Sequence, residues 1–404
     1  MMSLRGSVLT TLMLSLLAAC GGGGGSAPAA SPPPVPAPPA PPSLIAAGTL
    51  GDGRFEDVVA NVRERHDVPA MGAIVVLNGM IADQAVDGLR AVEQGAKVTL
   101  DDKWHIGSIT KAMTGTLAAV LVEQSVLSWD ITPADVWPAW ANKMQPQYRD
   151  VTIVQLLSHQ SGLPADITLI PSLAMIEDSA PGTLPEKRLI WAEELLDLAP
   201  ANAVGGFLYT NAGYLVVGAM LETVTGTPWE TLMNDNVFGP LSMQSTGYGA
   251  PGTAGLADQP FGHLEENGRL VSIPPGPGAD NPQSVGPAGT VHTTLSDYAL
   301  YMFAHIEGEL GMPSLVSAQT FQILHAPVGI HSYALGWDND TSLPWSNGPV
   351  LVHQGSNLRW LASVGLVPGL NAGVLIVSNA ANDDTNNAME EMAQQIVDRV
   401  LASL

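Results

Sequence analysis

Ser108 and Lys111 stand three residues apart in Trp104-His-Ile-Gly-Ser-Ile-Thr-Lys-Ala-Met113. A serine hydroxyl is a poor nucleophile at neutral pH and needs a base within hydrogen-bond reach. On a helix, positions i and i+3 share one face, so this spacing sets an amine one turn from a hydroxyl. The free N–H groups and the positive dipole end of a helix N-terminus also favour a developing oxyanion. Taken alone, the spacing has a second reading, an ordinary helix start with Ser108 as N-cap. Two more sets of residues carry compatible chemistry. Tyr209-Thr210-Asn211 offers a phenol and a carboxamide, and His353-Gln354-Gly355 offers an imidazole beside a glycine. A phenol titrates near about 10, so Tyr209 serves as a base only where its surroundings favour phenolate. By itself the Tyr209 tripeptide is also an ordinary turn before a helix starting at Asn211 or Ala212.

The elements that must position these groups are legible from periodicity. Ala112 to Gln124 reads as a helix, with Leu117, Val120, Leu121 and Val122 in its apolar set. Met71 to Leu77 reads as a strand, Asn78-Gly79 as a two-residue hairpin turn, and Met80 to Val86 as the returning strand. Leu361 to Val367 and Ala372 to Ser378 form a second pair around Pro368-Gly-Leu-Asn371, and Ala388 to Leu404 closes the chain as a helix. Hairpins at both ends and a terminal helix predict one antiparallel sheet built from both termini. The expected fold class is α/β (α+β): an antiparallel sheet flanked by helices, plus a mostly helical second lobe from the middle of the chain.

The chain has 404 residues, 38 acidic and 15 basic, for a formal net charge of −23. Nucleic-acid phosphates need clustered Lys and Arg, so a nucleic-acid partner is excluded and the acidic surface reads as solubility. His292, His305, His325 and His331 lack metal-ligand spacing with Cys or carboxylate partners, so no metal and no organic cofactor is expected. No Gly-x-Ser-x-Gly elbow occurs. Residues 1–20 read as a targeting segment: Arg5, an apolar run from Val8 to Leu17, then Leu17-Ala-Ala-Cys20. Cys20 is the only cysteine, so no intrachain disulfide is possible. Residues 21–48, Gly-rich and then Ala-Pro-rich, read as a tether.

The order Ser-x-x-Lys, Tyr-x-Asn, His-x-Gly resembles the serine β-lactamase and penicillin-binding protein superfamily. The Tyr-x-Asn form is similar to its class C branch, including DD-peptidases and family VIII esterases. Val151-Thr-Ile-Val-Gln-Leu-Leu-Ser-His-Gln-Ser-Gly-Leu163, Val237 to Thr246, Pro287 to Asp297 and Tyr333-Ala-Leu-Gly-Trp337 resemble the same branch, so the likeness covers nearly everything after residue 50. It implies a hydrolase domain over 49–404, with an α/β lobe of about 49–120 and 286–404 and a helical lobe of about 121–285. It implies Ser108 as nucleophile, Lys111 and Tyr209 as the proton-handling groups with the base left open, and Asn211 as a donor to the substrate carbonyl. The N–H groups of Ser108 and Ser356 would form the oxyanion hole, with Gly355 admitting the substrate close to the backbone. His353 replaces the Lys of class C β-lactamases and carries much less charge, which weakens the case for an anionic substrate there. Arg359 is a candidate for the missing cation, or else a solvated side chain. His159, with Ser158 and Ser161, is then a structural residue near the lobe junction. Trp104, Trp337 and Trp360 are expected to pack, one of them against the acyl pocket. The reaction implied is acyl-enzyme hydrolysis of a small ester, a D-amino-acid peptide or amide, or a β-lactam. Leu17 to Cys20 resembles a bacterial lipoprotein box, which implies cleavage before Cys20, lipid attachment to its thiol and a place in the bacterial cell envelope. Gly21, where sorting rules look for an inner-membrane Asp, points to the outer membrane or the periplasmic face. The oligomeric state is left open.

Overall fold

A computed structural model describes residues 48–165, 182–276, 278–340 and 345–404. The expected signal segment, Cys20 and all but the last residue of the tether lie outside them. Helix α1 (Phe55–Arg65) leads into strands β1 (Ala70–Leu77) and β2 (Met80–Gly88), then the short β3 (Trp104–His105). Asn78 and Gly79 both take positive φ, at 52° and 74°, as a two-residue hairpin turn with the matching twist requires. Helix α2 (Thr110–Glu123) follows, then α3 (Leu184–Asp197) and α4 (Asn211–Thr225). Next come β4 (Gly247–Tyr248), the hairpin β5 (Gly262–Glu266) and β6 (Arg269–Ile273), β7 (Val291–Thr293), α5 (Leu295–Glu309) and α6 (Ala318–His325). The chain ends with β8 (Asp338–Asp340), β9 (Val350–Ser356), β10 (Leu361–Val367), β11 (Ala372–Ser378) and α7 (Asp383–Ser403).

The main sheet has the order β2-β1-β11-β10-β9-β8, and its paired strands run antiparallel. Met71 faces Ser378 across β1 and β11, so the two chain ends do meet in one sheet as the paired hairpins predict. Side chains alternate between faces with the two-residue period of a strand. Met71, Ala73 and Val75 join Phe55, Val59, Val62, Met389, Met392 and Ile396 in a core under α1 and α7. Ala70, Ile74 and Val76 face the larger core built with α2 and α5. Truncating one of these, Met392→Ala for example, costs about 2–5 kcal/mol through lost transfer energy and the cavity left behind.

Two boundaries differ from expectation. Helix α7 begins at Asp383, five residues before the apolar periodicity, because Asn382 caps it by accepting the Thr385 N–H at 3.0 Å. The middle of the chain also contains strands. The β5–β6 hairpin docks on the sheet lobe and not among the helices: the Phe261 N–H donates to Arg90 O, and His263 lies against Asn379 O and Arg359 O.

Helix α2 is buried on every side from Thr110 to Leu121. A helix with no wet face is a central one, and its first turn carries the Ser-x-x-Lys residues.

Candidate active site

Ser108 lies in the short 3₁₀ turn Gly107–Ile109 that feeds α2, and it is only part-buried in an otherwise buried stretch from Trp104 to Leu121. Lys111, one turn on, is 0% exposed. Its Nζ reaches Ser108 Oγ at 3.0 Å, Asn211 Oδ1 at 2.6 Å and Ala288 O at 2.8 Å. An ammonium donates to all three. A neutral amine donates to Asn211 and Ala288, and its lone pair then accepts the Ser108 hydroxyl proton. One heavy-atom arrangement therefore serves both proton states, which is what a nucleophile-activating group requires. The Tyr209 ring lies 5.0 Å from Nζ, centroid to nitrogen, within cation–π range. Ser108, Lys111, Tyr209 and Asn211 thus come together, from two lobes and about a hundred residues of separation.

Asn211 opens α4, with Thr210 as N-cap accepting the Ala212 N–H. Thr210 is itself held by His159. Its N–H donates to His159 Nδ1 at 3.2 Å, and its hydroxyl donates to Pro164 O at 2.7 Å. The His159 ring packs 4.2 Å from the Tyr209 ring and 4.7 Å from Tyr333. Burial, then the charge of Lys111, holds His159 well below the usual histidine range. His159 is therefore a neutral acceptor that fixes the Tyr-Thr-Asn turn, as its expected structural role requires.

His353 does not face the cleft as a substrate contact. It is 2% exposed, and both ring nitrogens are engaged. Nδ1 lies 2.7 Å from Gln354 O, which only accepts, so the proton sits on Nδ1, and Nε2 accepts from the Tyr333 hydroxyl at 2.9 Å. Burial and the Lys111 charge push its pKa down to about 3. Arg359 is the candidate cation near this strand, with a solvated side chain as the other reading. Lys111 is the cation His353 feels, while Arg359 donates from Nη1 to Asn357 O at 3.2 Å within its own loop.

At Gly355 a Cβ would stand 2.0 Å from Ile106 O and 2.6 Å from Ser108 N, so the nucleophile turn packs directly against this strand. Gly107 mirrors it: with φ at +50°, its Cβ would meet Ser356 N at 2.4 Å. Two glycines face each other so that backbone packs on backbone, and the N–H groups of Ser108 and Ser356 both lie at that contact. Gly107 was not singled out from sequence, although its place directly before Ser108 was a usable signal. Ala288 had no such signal, because its contribution is a main-chain carbonyl. Trp104, Trp337 and Trp360 are all buried and pack as expected. Among the described residues no group of three His, Cys or carboxylate side chains is placed to hold a metal, and no helix is long and apolar enough to cross a membrane.

The chain is similar to known proteins over most of its length. The β-lactamase family profile matches residues 55–398. Penicillin-binding protein 4 of Amycolatopsis lactamdurans is 28% identical over 329 residues, 79% of this chain and 82% of that protein. Protein flp of Staphylococcus aureus (strain MW2) is 23% identical over 349 residues, 85% of this chain and 66% of its own length. Among solved structures, an octameric penicillin-binding protein homologue from Pyrococcus abyssi superposes with a TM-score of 0.67 at 23% identity, over 88% of this chain and 78% of that one. SurE gives 0.67 at 20% identity, over 86% and 74%.

Proposed function

This chain belongs to the β-lactamase family, within the serine β-lactamase and penicillin-binding protein superfamily, and on that premise we propose that it is a serine hydrolase of esters or of D-amino-acid peptides and amides. The observation that carries the proposal is the Lys111 clasp, one amine bonded to Ser108 Oγ and Asn211 Oδ1 at once. In this reading Ser108 Oγ attacks the substrate carbonyl and gives its proton to Lys111, or to Tyr209 through it. The carbonyl oxygen takes up negative charge facing the N–H groups of Ser108 and Ser356. Collapse of the tetrahedral adduct breaks the bond to the leaving group, which takes the proton back from the same relay. Water then attacks the acyl-enzyme by the reverse path, releasing the acid and restoring Ser108.

Neutral substrates are favoured over those read by a free carboxylate. His353 is uncharged, Lys111 is engaged by Ser108, Asn211 and Ala288, and Arg359 donates to its own loop. A related reading is acylation with little turnover, as a penicillin-binding module, favoured by the name of the Amycolatopsis relative. Labelling with a fluorophosphonate or a fluorescent penicillin, followed by peptide mapping, tests both. The adduct is expected on Ser108. An adduct elsewhere, or undiminished labelling of Ser108→Ala, removes the proposal, and turnover against single acylation separates the two readings.

We extend the proposal to location. Leu17-Ala-Ala-Cys20 followed by a Gly-rich tether supports export and lipid attachment in a bacterial envelope. Cys20→Ser is expected to leave the membrane fraction or to keep its signal. Fractionation and maturation like wild type would end that idea.

A further inference from the structure

The two backbone donors of the proposed oxyanion hole come from distant parts of the chain, and side chains outside the Ser108, Lys111 and Tyr209 set join them. The Gly107 N–H donates to His105 Nδ1 at 3.1 Å. A backbone N–H only donates, so Nδ1 accepts and the ring proton sits on Nε2. That nitrogen lies 2.9 Å from Asp280 Oδ2. The other carboxylate oxygen, Oδ1, accepts from Asn357 Nδ2 at 2.7 Å and from the Asn281 N–H at 2.7 Å. Asn357 Oδ1 in turn accepts the N–H groups of Arg359 and Trp360, each at 3.2 Å. His105 is 0% exposed and Asn357 4%, and the Trp360 ring covers His105 at 5.5 Å between centroids.

We propose that His105, Asp280 and Asn357 form a positioning bridge that sets the geometry of the oxyanion hole. This rests on the functional reading above. The bridge ties Gly107, the residue before one N–H donor, to Asn357, the residue after the other. The direction of every bond is fixed. Asp280 must accept from both sides, because His105 and Asn357 each present a donor. Neither can reverse cheaply. A His105 proton moved to Nδ1 would face the Gly107 N–H, and a rotated Asn357 amide would face the N–H groups of Arg359 and Trp360. A carboxylate accepts at both oxygens and so satisfies both neighbours, which a carboxamide of the same shape would not, and it does so beside the Gly107–Gly355 contact, where small displacements move both donors.

Asp280→Asn keeps the size of the side chain and removes one acceptor, so it tests bond direction and not bulk. Turnover of a neutral chromogenic ester, p-nitrophenyl butyrate, is measured beside the affinity for phenylboronic acid, which forms a tetrahedral adduct on the serine. D280N is expected to lower kcat about ten- to a hundredfold with KM changed less than about threefold, and to weaken the boronate in parallel, the scale of a misaligned oxyanion donor. The swapped pair Asp280→Asn with Asn357→Asp restores the donor–acceptor match from His105 through to the N–H groups of Arg359 and Trp360, leaving the Asn281 N–H without its acceptor, and is expected to recover part of both losses. Should D280N fail to accumulate as folded protein, Asn357→Ala carries the same expectation. Unchanged kcat and boronate affinity in D280N, or a swapped pair no better than D280N, overturns the bridge. Failure of the functional reading is distinguishable, because it appears as ester turnover that survives Ser108→Ala before any bridge variant is made.

Discussion

The two walls of the site are built by different means. The nucleophile wall is backbone against backbone: Gly107 and Gly355 leave no room for a methyl group between the Ser108 turn and β9. The opposite wall is side chain against side chain: His159 holds Thr210, packs on Tyr209, and Lys111 reaches across to Asn211. Main-chain contact fixes a position to within tenths of an ångström, which is what an oxyanion needs. Side-chain contact leaves rotamers free to adjust, which suits a proton relay facing varied leaving groups.

The largest expected effect is Gly355→Ala. Its Cβ would stand 2.0 Å from Ile106 O, so β9 and the Ser108 turn must separate. We expect kcat/KM to fall by about 10³ or more, beyond the loss of one oxyanion donor, with a lowered Tm. Activity within tenfold of wild type would mean the first wall is as pliable as the second.

Next come Lys111→Ala and Tyr209→Phe, each expected to slow acylation by about 10², the usual scale for a general acid–base group. Their combined loss should fall well short of the product, because they serve one relay. Additive losses in pre-steady-state acylation would divide the second wall into two independent parts.

The smallest effect is on stability against pH. Burial keeps His159, His305 and His353 below the usual histidine pKa of about 6.5. The unfolded chain therefore binds more protons than the folded one below that value, so stability falls as pH drops below about 6.5. Protonating His159 also removes its acceptor for the Thr210 N–H. Hydrogen exchange should therefore show the Thr210 amide losing protection before the Ser108 turn does. The reverse order would contradict the assignment of pH-sensitive packing to the second wall.

Much of this was legible in the sequence, for physical reasons that differ by element. Leu361–Val367 and Ala372–Ser378 were readable because each is a nearly continuous apolar run bounded by Pro-Gly-Leu-Asn. Ser108, Lys111, Tyr209 and Asn211 were readable from residue type and motif order. His353 was readable as a position and misread as a contact, because nothing in His-Gln-Gly says that Tyr333 stands behind the ring. That the Ser108 turn packs on Gly355 was not readable, since a glycine does not reveal which neighbour approaches it. Ala288 acts through a carbonyl, and the Asp280–Asn357 pair joins loops far apart in sequence. Such contributions have no side-chain signature or local spacing to detect.

The pairing of β1 with β11 has a consequence for how the protein is made. Met71 finds Ser378 only after residue 378 has been made, and the order of the sheet places β11 between the first hairpin and β10. Closing so long a loop is slow, and until it closes β1 has one neighbour instead of two. A nascent chain on the ribosome therefore cannot complete its central sheet, and the Ser108 turn has no β9 to rest on until residue 356 has emerged.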